Sequence, residues 1–340
     1  MVIIRDDVED FYTMCEKLVE RFEHKWGHDN YNIMVNYKMM AVHVPTDVSD
    51  VRMLYYCANY IVEHSATNGH ELFVKDVNFD EARRRVKVEN IIKRAIENDF
   101  FEMYYQPIYS VKEEKITSAE ALIRLHDPEE GFVSPGEFIP IAEDNGMILQ
   151  IGDMVFHKVF DFIRKSGLSK LGIEYIEINL SVVQCVQNRL STKVKEMMEN
   201  YKIESNMINL EITETAAADS PKILIDNMSE LSNVGVAFSL DDFGTGYSNI
   251  CALMSLPLNI IKLDKSLIDM ATENSDGKNV IDGSVAMVKK MGKKIVAEGI
   301  EEEYQVEMMK KIGVDYIQGY YYSRPLNEAA FINFLNQNNG

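Results

Sequence analysis

Two adjacent carboxylates, Asp241 and Asp242, stand at the end of a predicted buried strand and are suited to metal chemistry. The apolar run 236–240 before them is bounded by turn-forming residues and predicts that strand. Buried neighbouring carboxylates repel each other, so a divalent cation between them is favourable. Because side chains alternate along a strand, both reach one site only if Asp242 already belongs to the turn that the following glycines allow. The alternative interpretation is an N-cap pair at a strand-to-helix corner.

Other polar side chains stand at the ends of predicted strands in the same way. They are Glu120, Arg124, Asn179, Glu211, Glu214, Lys262, Glu298 and Gln318. Singly, each has a simpler interpretation: a solvated acid at the rim, a lysine that reaches the surface, or an asparagine that caps a helix. Together they predict one oxygen-rich mouth, because the active residues of a β/α barrel collect at the carboxyl ends of its strands.

The predicted metal ligands are all oxygen donors. They are Glu120, Asn179, Glu211, Asp241 and Asp242. Without His or Cys in the set, Mg²⁺ or Mn²⁺ is favoured over zinc, and two ions about 3.5–4 Å apart would suit phosphodiester cleavage. Lys262, near cations and partly desolvated, is expected to have a lowered pKa and to orient or deprotonate the attacking water. Arg124 lies four residues after Glu120 on the same side of the strand, and its planar fork suits a phosphate.

The elements that must position these residues begin at residue 101, where strand-like runs alternate with helix-length segments. The eight runs are 103–108, 116–125, 173–180, 208–213, 236–240, 260–263, 295–297 and 316–318. The helices between them include 134–145, 153–166, 192–201, 221–233, 278–291 and 301–312. This alternation predicts an α/β protein with a closed (β/α)8 TIM-like barrel. The alternative doubly wound sheet lacks a Gly-x-Gly-x-x-Gly run after a first strand.

Two departures from a single regular barrel are expected. The connection 112–116 is too short for a helix, so the first two strands should form a hairpin that makes one strand antiparallel. Residues 1–79 predict a small separate α+β unit without evident chemistry, and 80–100 predict a linker helix before the barrel of 101–340.

Composition limits the partners and the compartment. With 46% hydrophobic and 26% charged residues in 340, the chain is typical of soluble globular proteins. No apolar run reaches the roughly 20 residues that cross a bilayer, and the amino terminus has no signal-peptide pattern. Four scattered cysteines fit the reducing cytoplasm. The net charge of −19 argues against duplex nucleic acid, although a metal would still admit an anionic substrate.

The ordered motifs over about residues 101–335 resemble the EAL domain, the cyclic-di-GMP phosphodiesterase. The segments that carry the resemblance are Glu120-Ala121-Leu122-Ile123-Arg124, 105–108, 134–140, 179–181, 211–214, 241–248, 262–264, 296–299 and 318–320. The resemblance implies hydrolysis of cyclic-di-GMP to linear pGpG with magnesium or manganese, and a homodimer formed through the barrel. Asn249 and Ser323 differ from the residues expected there, Ser and Gly, but neither carries charge for the reaction.

The resemblance also implies roles for individual residues. Metal ligands would be Glu120, Asn179, Glu211 and Asp241, with Asp242 serving the second ion. Lys262 would be the catalytic lysine acting on water, and Glu298 would hold the water network. Gln106, Leu122, Arg124 and Gln318 would contact the nucleotide. Glu214 would anchor the loop 242–248, which in the family couples dimerisation to metal binding.

The amino-terminal unit resembles the later half of a GGDEF (diguanylate cyclase) domain. The strand around residues 31–45, the helix around Ala58 and the Asn68-Gly69 turn follow the expected order, but the Gly-Gly-Asp-Glu-Phe signature is absent. We therefore expect a partial or degenerate unit without cyclase activity, and a longer parent protein would be free to carry a sensory or membrane region before it. Two alternatives to the phosphodiesterase stay open. One is a catalytically silent cyclic-di-GMP receptor, and the other is a barrel hydrolase of another phosphodiester.

Overall fold

The structure is a computed structural model that describes residues 9–23, 26–28, 31–33, 39–42, 48, 50–64, 71–73, 79–218, 222–244, 254–273 and 275–339. The chain forms two compact units, Met1–Ile91 and Ile92–Gly340. The predicted Asn68-Gly69 turn, residues 245–248 of the predicted loop and Asn249 lie outside the described residues.

The first unit contains helices and short paired strands. In chain order they are α1 Glu9–Glu23, β1 Trp26–His28, β2 Tyr31–Ile33, β3 Met39–Ala41, α2 Val51–His64 and β4 Glu71–Phe73. Strands β1 and β2 pair antiparallel, and β3 and β4 pair parallel. Helix α3, Phe79–Asn98, contains the boundary between the two units, and its role as a linker over 80–100 stays a prediction.

The second unit is a closed barrel of eight strands. They are β5 Phe101–Ser110, β6 Lys115–Asp127, β8 Tyr175–Leu180, β9 Ile208–Thr213, β10 Ala237–Phe243, β11 Ile260–Leu263, β12 Lys294–Ala297 and β13 Tyr316–Gln318. The order around the barrel is β5-β13-β12-β11-β10-β9-β8-β6, and β6 returns to β5. Two short strands, β7 Gly131–Val133 and β14 Leu326–Asn327, extend this sheet at β6 and β5. The predicted α/β barrel is therefore confirmed.

Strand β5 is the antiparallel member of the barrel. It pairs antiparallel with β6 on one side and with β13 on the other, whereas the other barrel pairs are parallel. The turn between β5 and β6 has four residues, which is too short for the crossover that a parallel pair needs. The predicted hairpin and its antiparallel strand are thus confirmed.

Helices surround the barrel. They are α4 Pro135–Asp144, α5 Ile148–Ser166, α6 Val182–Cys185, α7 Leu190–Tyr201, α8 Glu214–Ala218, α9 Lys222–Ser232, α10 Lys265–Glu273, α11 Ser275–Lys290, α12 Glu303–Ile312 and α13 Glu328–Asn338. Buried apolar stripes such as Phe156, Phe160 and Ile163 of α5 pack on the outer face of the strands. Helix α5 ends where Gly167 takes the left-handed conformation with φ of 64°. Helices α6, α8, α10 and α13 were absent from the sequence prediction.

The alternation of strand residues decides what faces the barrel interior. On β11, Ile261 and Leu263 join the apolar core, so Lys262 between them points to the opposite face. No helix in the described part of the chain is both long and apolar enough to span a membrane.

Candidate active site

Lys262 stands at the centre of the barrel mouth, among carboxyl groups from four other strands or strand ends. Its Nζ lies 2.8 Å and 2.9 Å from the two carboxyl oxygens of Glu211. It lies 2.8 Å from Glu298, 3.4 Å from Glu120 and 3.5 Å from Glu177. Strand β11 is opposite β6 in the barrel order, so the lysine side chain crosses the interior to reach Glu120.

Asp241 and Asp242 lie in a β-bulge, and not in a turn after the strand as predicted. Leu240 pairs with Ile261 and Phe243 pairs with Leu263, so the two aspartates stand opposite the single residue Lys262. Asp242 takes a left-handed φ of 58°. A bulge of this kind interrupts the alternation of side chains and re-aims one of them, so the irregular strand itself supplies the geometry that the sequence analysis attributed to the glycines.

Glu120 is held by amide side chains as well as by Lys262. Asn179 Nδ2 donates to Glu120 Oε1 at 2.8 Å, and Gln318 Nε2 donates to Glu120 Oε2 at 2.6 Å. Gln318 also reaches Gln106 Oε1 at 3.5 Å, and Gln106 Nε2 donates to the carbonyl of Ser323 at 3.3 Å. One predicted metal ligand, Asn179, and one predicted nucleotide contact, Gln318, thus bond directly to Glu120, and Gln106 is joined to it through Gln318.

The other predicted site residues flank this centre. Leu122 and Arg124 follow Glu120 at steps of two on β6, so they share its strand face farther out from the mouth. The Arg124 guanidinium stands 5.8 Å from the centre of the Tyr104 ring, and its Nη1 donates to the carbonyl of Ile123 at 2.9 Å. Arg124 is therefore held at the outer wall of the mouth.

Glu214 begins α8 and touches the start of the loop that it was predicted to anchor. Its Oε2 accepts a hydrogen bond from the backbone N–H of Gly244 at 3.3 Å. The remainder of that loop, residues 245–248, is outside the described residues, so the coupling role assigned to Glu214 stays a prediction.

Burial dominates the titration of the acidic groups. It raises the pKa of Glu211 and of Glu298 well above the usual value, against the opposing charge of Lys262. Burial also acts to raise the pKa of Asp241, but Lys262, Glu211 and Glu298 together hold that pKa below its usual value. The pKa of Asp242 is raised, by burial first and then by the charges of Asp241 and Asp264. The pKa values of Glu211 and Glu298 therefore lie above the usual value, whereas that of Asp241 lies below it.

The lowered pKa of Lys262 was predicted for a lysine near bound cations, and for that state it stays a prediction; among the protein's own groups the direction is the opposite. Burial alone would lower it, but the carboxyl groups of Glu120, Glu211, Glu298 and Asp241 raise the pKa of Lys262 well above the usual value. The protein's own charges thus keep this side chain an ammonium. An ammonium donates hydrogen bonds and stabilises negative charge.

The donor set fits a hard divalent cation by its chemistry. All the predicted ligands offer oxygen, and the buried Oδ1 of Asp241 has no hydrogen-bond partner among the described residues. The ligands are not preassembled, however, because no group of three or more Asp, Glu, His or Cys in the described part of the chain is arranged to hold an ion. Lys262 stands between the carboxyl groups, so cation binding requires it to give up part of its contacts with Glu120 and Glu211.

Below the predicted ligands lies a layer of polar residues that was not predicted from the sequence. Glu177, Asn209 and Ser239 are fully buried and hydrogen-bonded to one another. Each lies two residues before a predicted ligand, Asn179, Glu211 and Asp241 in turn. Residues at i and i+2 of a strand share one face. The polar residues two positions before the predicted ligands could therefore have been recognised from the sequence as facing the barrel interior.

A separate cavity of about 700 Å³ lies at the other end of the barrel. Its lining includes residues at the amino ends of strands, among them Tyr175, Ala237, Ile260 and Lys294. Because barrel enzymes carry their chemistry at the carboxyl ends of the strands, this cavity is not the candidate active site.

Comparison with known proteins assigns the family. The sequence profile described as "EAL domain" matches residues 89–325, which is more than half of the chain. The chain belongs to the EAL domain family. This match covers all the predicted site residues.

Relatives of this EAL chain include longer proteins. It is 29% identical over 320 residues to the bifunctional diguanylate cyclase/cyclic di-GMP phosphodiesterase MucR of Pseudomonas aeruginosa, covering 93% of this chain and 47% of MucR. It is 32% identical over 265 residues to the oxygen sensor protein DosP of Escherichia coli, covering 78% of this chain and 33% of DosP. The EAL chain thus spans half or less of the length of these relatives.

Solved structures agree with the fold of this EAL chain. The PaMucR phosphodiesterase in complex with c-di-GMP is 31% identical with a TM-score of 0.67, covering 71% of this chain and 98% of that one. The EAL enzyme Bd1971, bound to cAMP and cyclic-di-GMP, is 30% identical with a TM-score of 0.70, covering 75% and 69%.

Proposed function

We propose that this EAL chain hydrolyses cyclic-di-GMP to linear pGpG with Mg²⁺ or Mn²⁺. The observation that carries the proposal is the single cluster at the barrel mouth, in which Lys262 contacts Glu120, Glu211 and Glu298. Membership of the EAL family and the c-di-GMP complex of PaMucR support the choice of substrate. Water oxygen would bond to one phosphorus, and the bond from that phosphorus to the 3′ oxygen would break.

Each side chain has a role in this proposal. Glu120, Asn179, Glu211 and Asp241 would hold one ion, and Asp242 would serve the second. Two bound ions supply an activated water and neutralise the charge that develops on the phosphate oxygens. The Lys262 ammonium would hold the attacking water or a phosphate oxygen by donating a hydrogen bond, and Glu298 would keep the lysine and the water in place.

Nucleotide binding would use the wall around the mouth. Gln106 and Gln318 would exchange their contact with each other for contacts to the nucleotide, Leu122 would pack against it, and the Arg124 guanidinium would face a phosphate. These four side chains surround or adjoin Glu120, so a bound nucleotide would meet the ligands and the lysine together.

A silent cyclic-di-GMP receptor is the second candidate. Asn179, Gln318 and Lys262 satisfy the carboxylate of Glu120 without any ion. A site that is satisfied by its own donors is able to bind a nucleotide without assembling for cleavage.

Chromatography of the reaction products distinguishes the candidates. The purified protein is incubated with cyclic-di-GMP and Mg²⁺ or Mn²⁺, with EDTA as the control. Appearance of pGpG that EDTA abolishes supports the enzyme. Tight binding of cyclic-di-GMP without product supports the receptor. Faster turnover of another cyclic dinucleotide than of cyclic-di-GMP supports the hydrolase of a different phosphodiester.

We also propose that the chain acts in the cytoplasm as a homodimer through the barrel, and that residues 1–79 derive from a GGDEF domain without cyclase activity. Light scattering tests the dimer, and incubation with GTP tests the missing cyclase activity. A monomer under turnover conditions would contradict the proposed homodimer. Formation of cyclic-di-GMP from GTP would contradict the proposed lack of cyclase activity.

A further inference from the structure

Lys262 has one carboxyl neighbour that the proposed reaction leaves unassigned. Glu177 comes from β8, and its Oε2 lies 3.5 Å from Lys262 Nζ. The side chain of Glu177 is fully buried, whereas the side chains of Glu120 and Glu298 are 9% and 17% exposed. Glu177 precedes Asn179 by two residues on the same strand face, so it lies one layer deeper in the barrel.

Two neighbours fix the orientation of Glu177. Its Oε1 accepts hydrogen bonds from Asn209 Nδ2 and from Ser239 Oγ, each at 3.1 Å, and Asn209 Nδ2 also lies 2.7 Å from Ser239 Oγ. Its Oε2 accepts no hydrogen bond from a described residue and faces the ammonium. One oxygen is therefore anchored to β9 and β10, and the other faces Lys262, while the carboxyl group of Glu211 also contacts Glu177.

The other partners of Lys262 have competing tasks. Glu120 and Glu211 are proposed ligands, and Glu298 stands at the open mouth with the proposed water. When those oxygens serve a cation or a water, Glu177 is the carboxyl group that stays with the lysine, since it is sealed from the mouth and tied from below.

We propose that Glu177, anchored by Asn209 and Ser239, is a positioning residue that holds the Lys262 ammonium at the centre of the barrel for the reaction. The inference rests on the proposed function. It assigns a role in that function to residues of the barrel interior that do not touch the substrate. The competing explanation is that the three residues only satisfy one another as a buried polar network.

Replacement of Glu177 by glutamine tests the proposal with little change in volume. In Glu177→Gln the amide oxygen still accepts from Asn209 and Ser239, but an N–H₂ group replaces the oxygen that faces the ammonium. Removal of such a supporting partner is expected to lower kcat about 10–100-fold, with KM for cyclic-di-GMP within about threefold of wild type. The matched control is Ser118→Ala, another fully buried interior position, which should leave kcat unchanged.

A second measurement reads Lys262 itself and needs no turnover. In EDTA, lysines are labelled with a small amine-reactive acetylating reagent and quantified by mass spectrometry. Lys262 is buried and paired in the wild type. We therefore expect Glu177→Gln to raise the labelling rate of Lys262 about tenfold or more relative to Ser118→Ala. A tenfold change corresponds to a loss of about 1.4 kcal/mol in the interaction between Lys262 and its carboxyl partners. Lys294, which is bound to Tyr316, is the internal reference and should not change.

Ser239→Ala covers the case in which Glu177→Gln does not fold. It removes one anchor of Glu177 and leaves every charge in place, so kcat and Lys262 labelling should shift in the same directions by smaller factors. A fall in kcat without a change at Lys262, or a change at Lys262 without a fall in kcat, would overturn the proposal. If the wild type forms no pGpG, the proposed function fails, whereas unchanged labelling of Lys262 in both variants overturns the positioning role independently.

Discussion

At the residue scale, the charge of Lys262 decides how the site works. Carboxyl groups from β6, β8, β9, β10 and the end of β12 surround one ammonium, and burial raises the pKa values of three of them, Glu177, Glu211 and Glu298. A buried cation among paired carboxyl groups stabilises the protein mainly because its removal leaves them uncompensated. The same residue is therefore expected to support folding of the metal-free protein and, under the proposed function, the chemistry of the metal-loaded one.

Lys262→Met should separate these two contributions. We expect kcat to fall by about 10²–10⁴-fold, and the metal-free variant to lose about 3–5 kcal/mol in free energy of unfolding. Mn²⁺ should recover much of that stability, because a cation takes over the compensation. Steady-state kinetics and urea denaturation with EDTA or Mn²⁺ measure both effects.

Lys112→Met, at a side chain that is 88% exposed, is the control for loss of a positive charge. Near wild-type turnover in Lys262→Met would remove the lysine from the mechanism. Equal stability of that variant and the wild type in EDTA would show that the carboxyl groups do not need the ammonium.

At the element scale, the carboxyl end of the chain fastens the barrel from outside. Asn339 follows α13, and its Nδ2 donates to the carbonyls of Ile116 and Leu171 at 2.7 Å and 3.0 Å, while its Oδ1 accepts from the N–H of Ile116 at 3.2 Å. One side chain thus links the start of β6 to the segment before β8.

Asn339→Ala should lower the free energy of unfolding by about 1–3 kcal/mol, because half-buried backbone groups of Ile116 and Leu171 lose their partner. The KM for cyclic-di-GMP should stay at the wild-type value, since Asn339 is at the amino end of β6, away from the mouth. Urea denaturation measures the loss. Asn338→Ala is the matched control, because Asn338 is exposed and bonds only within its own helix at Phe334, and equal stability of the two variants would contradict the prediction.

Helix α3 is joined to the far end of β6 through a buried acid. Asp127 accepts hydrogen bonds from the amides of Glu129 and Glu130, each at 3.0 Å, and from Arg94 at 2.9 Å. Burial acts to raise the pKa of Asp127, but the two amides and the guanidinium outweigh it and hold that pKa below the usual value. A carboxyl group with a depressed pKa stabilises the fold above its unfolded-state pKa, and this contribution is lost as pH falls through the folded-state pKa.

Asp127→Asn should therefore destabilise the protein at neutral pH, by about 1.5–3 kcal/mol for a lost charged partner. The gap in melting temperature between wild type and variant should narrow as pH falls below the ordinary Asp value of 3.8. Thermal melts from neutral pH to about pH 2.5 cover this window. Glu196→Gln, at an exposed position on α7, is the control, and a gap that persists unchanged at the acid end would contradict the assigned ionisation.

At the scale of the whole molecule, net charge opposes the approach of the proposed substrate. The chain carries −19, and cyclic-di-GMP carries two phosphate charges. Long-range repulsion slows association and is screened by salt. Local groups such as Arg124 and bound cations act only after the nucleotide is close.

We therefore expect the association rate of cyclic-di-GMP with the Mn²⁺-loaded protein to rise as NaCl increases from about 0.01 M to about 0.15 M, over which the Debye length falls from about 30 Å to about 8 Å. Stopped-flow binding with a fluorescent analogue measures the rate, with sucrose at equal osmolality as the control. A rate that falls with salt would mean that the local positive field outweighs the net charge.

The sequence by itself determined the barrel, its antiparallel strand and the residues at the strand ends. Strand runs, helix lengths and the short 112–116 connection are local properties, so they predicted the topology that the structure has. The strand-end positions of Glu120, Asn179, Glu211 and Asp241 follow from the same local pattern, although their roles as ligands stay predictions.

Only the tertiary structure decided what meets inside the barrel. The bulge at Asp241 and Asp242 depends on pairing with β11, and Glu177 meets Lys262 from a strand three positions away. The direction of the Lys262 pKa is a sum over carboxyl groups that lie up to 142 residues apart in the chain. Such sums depend on distances across the barrel and on burial, which local sequence patterns do not contain.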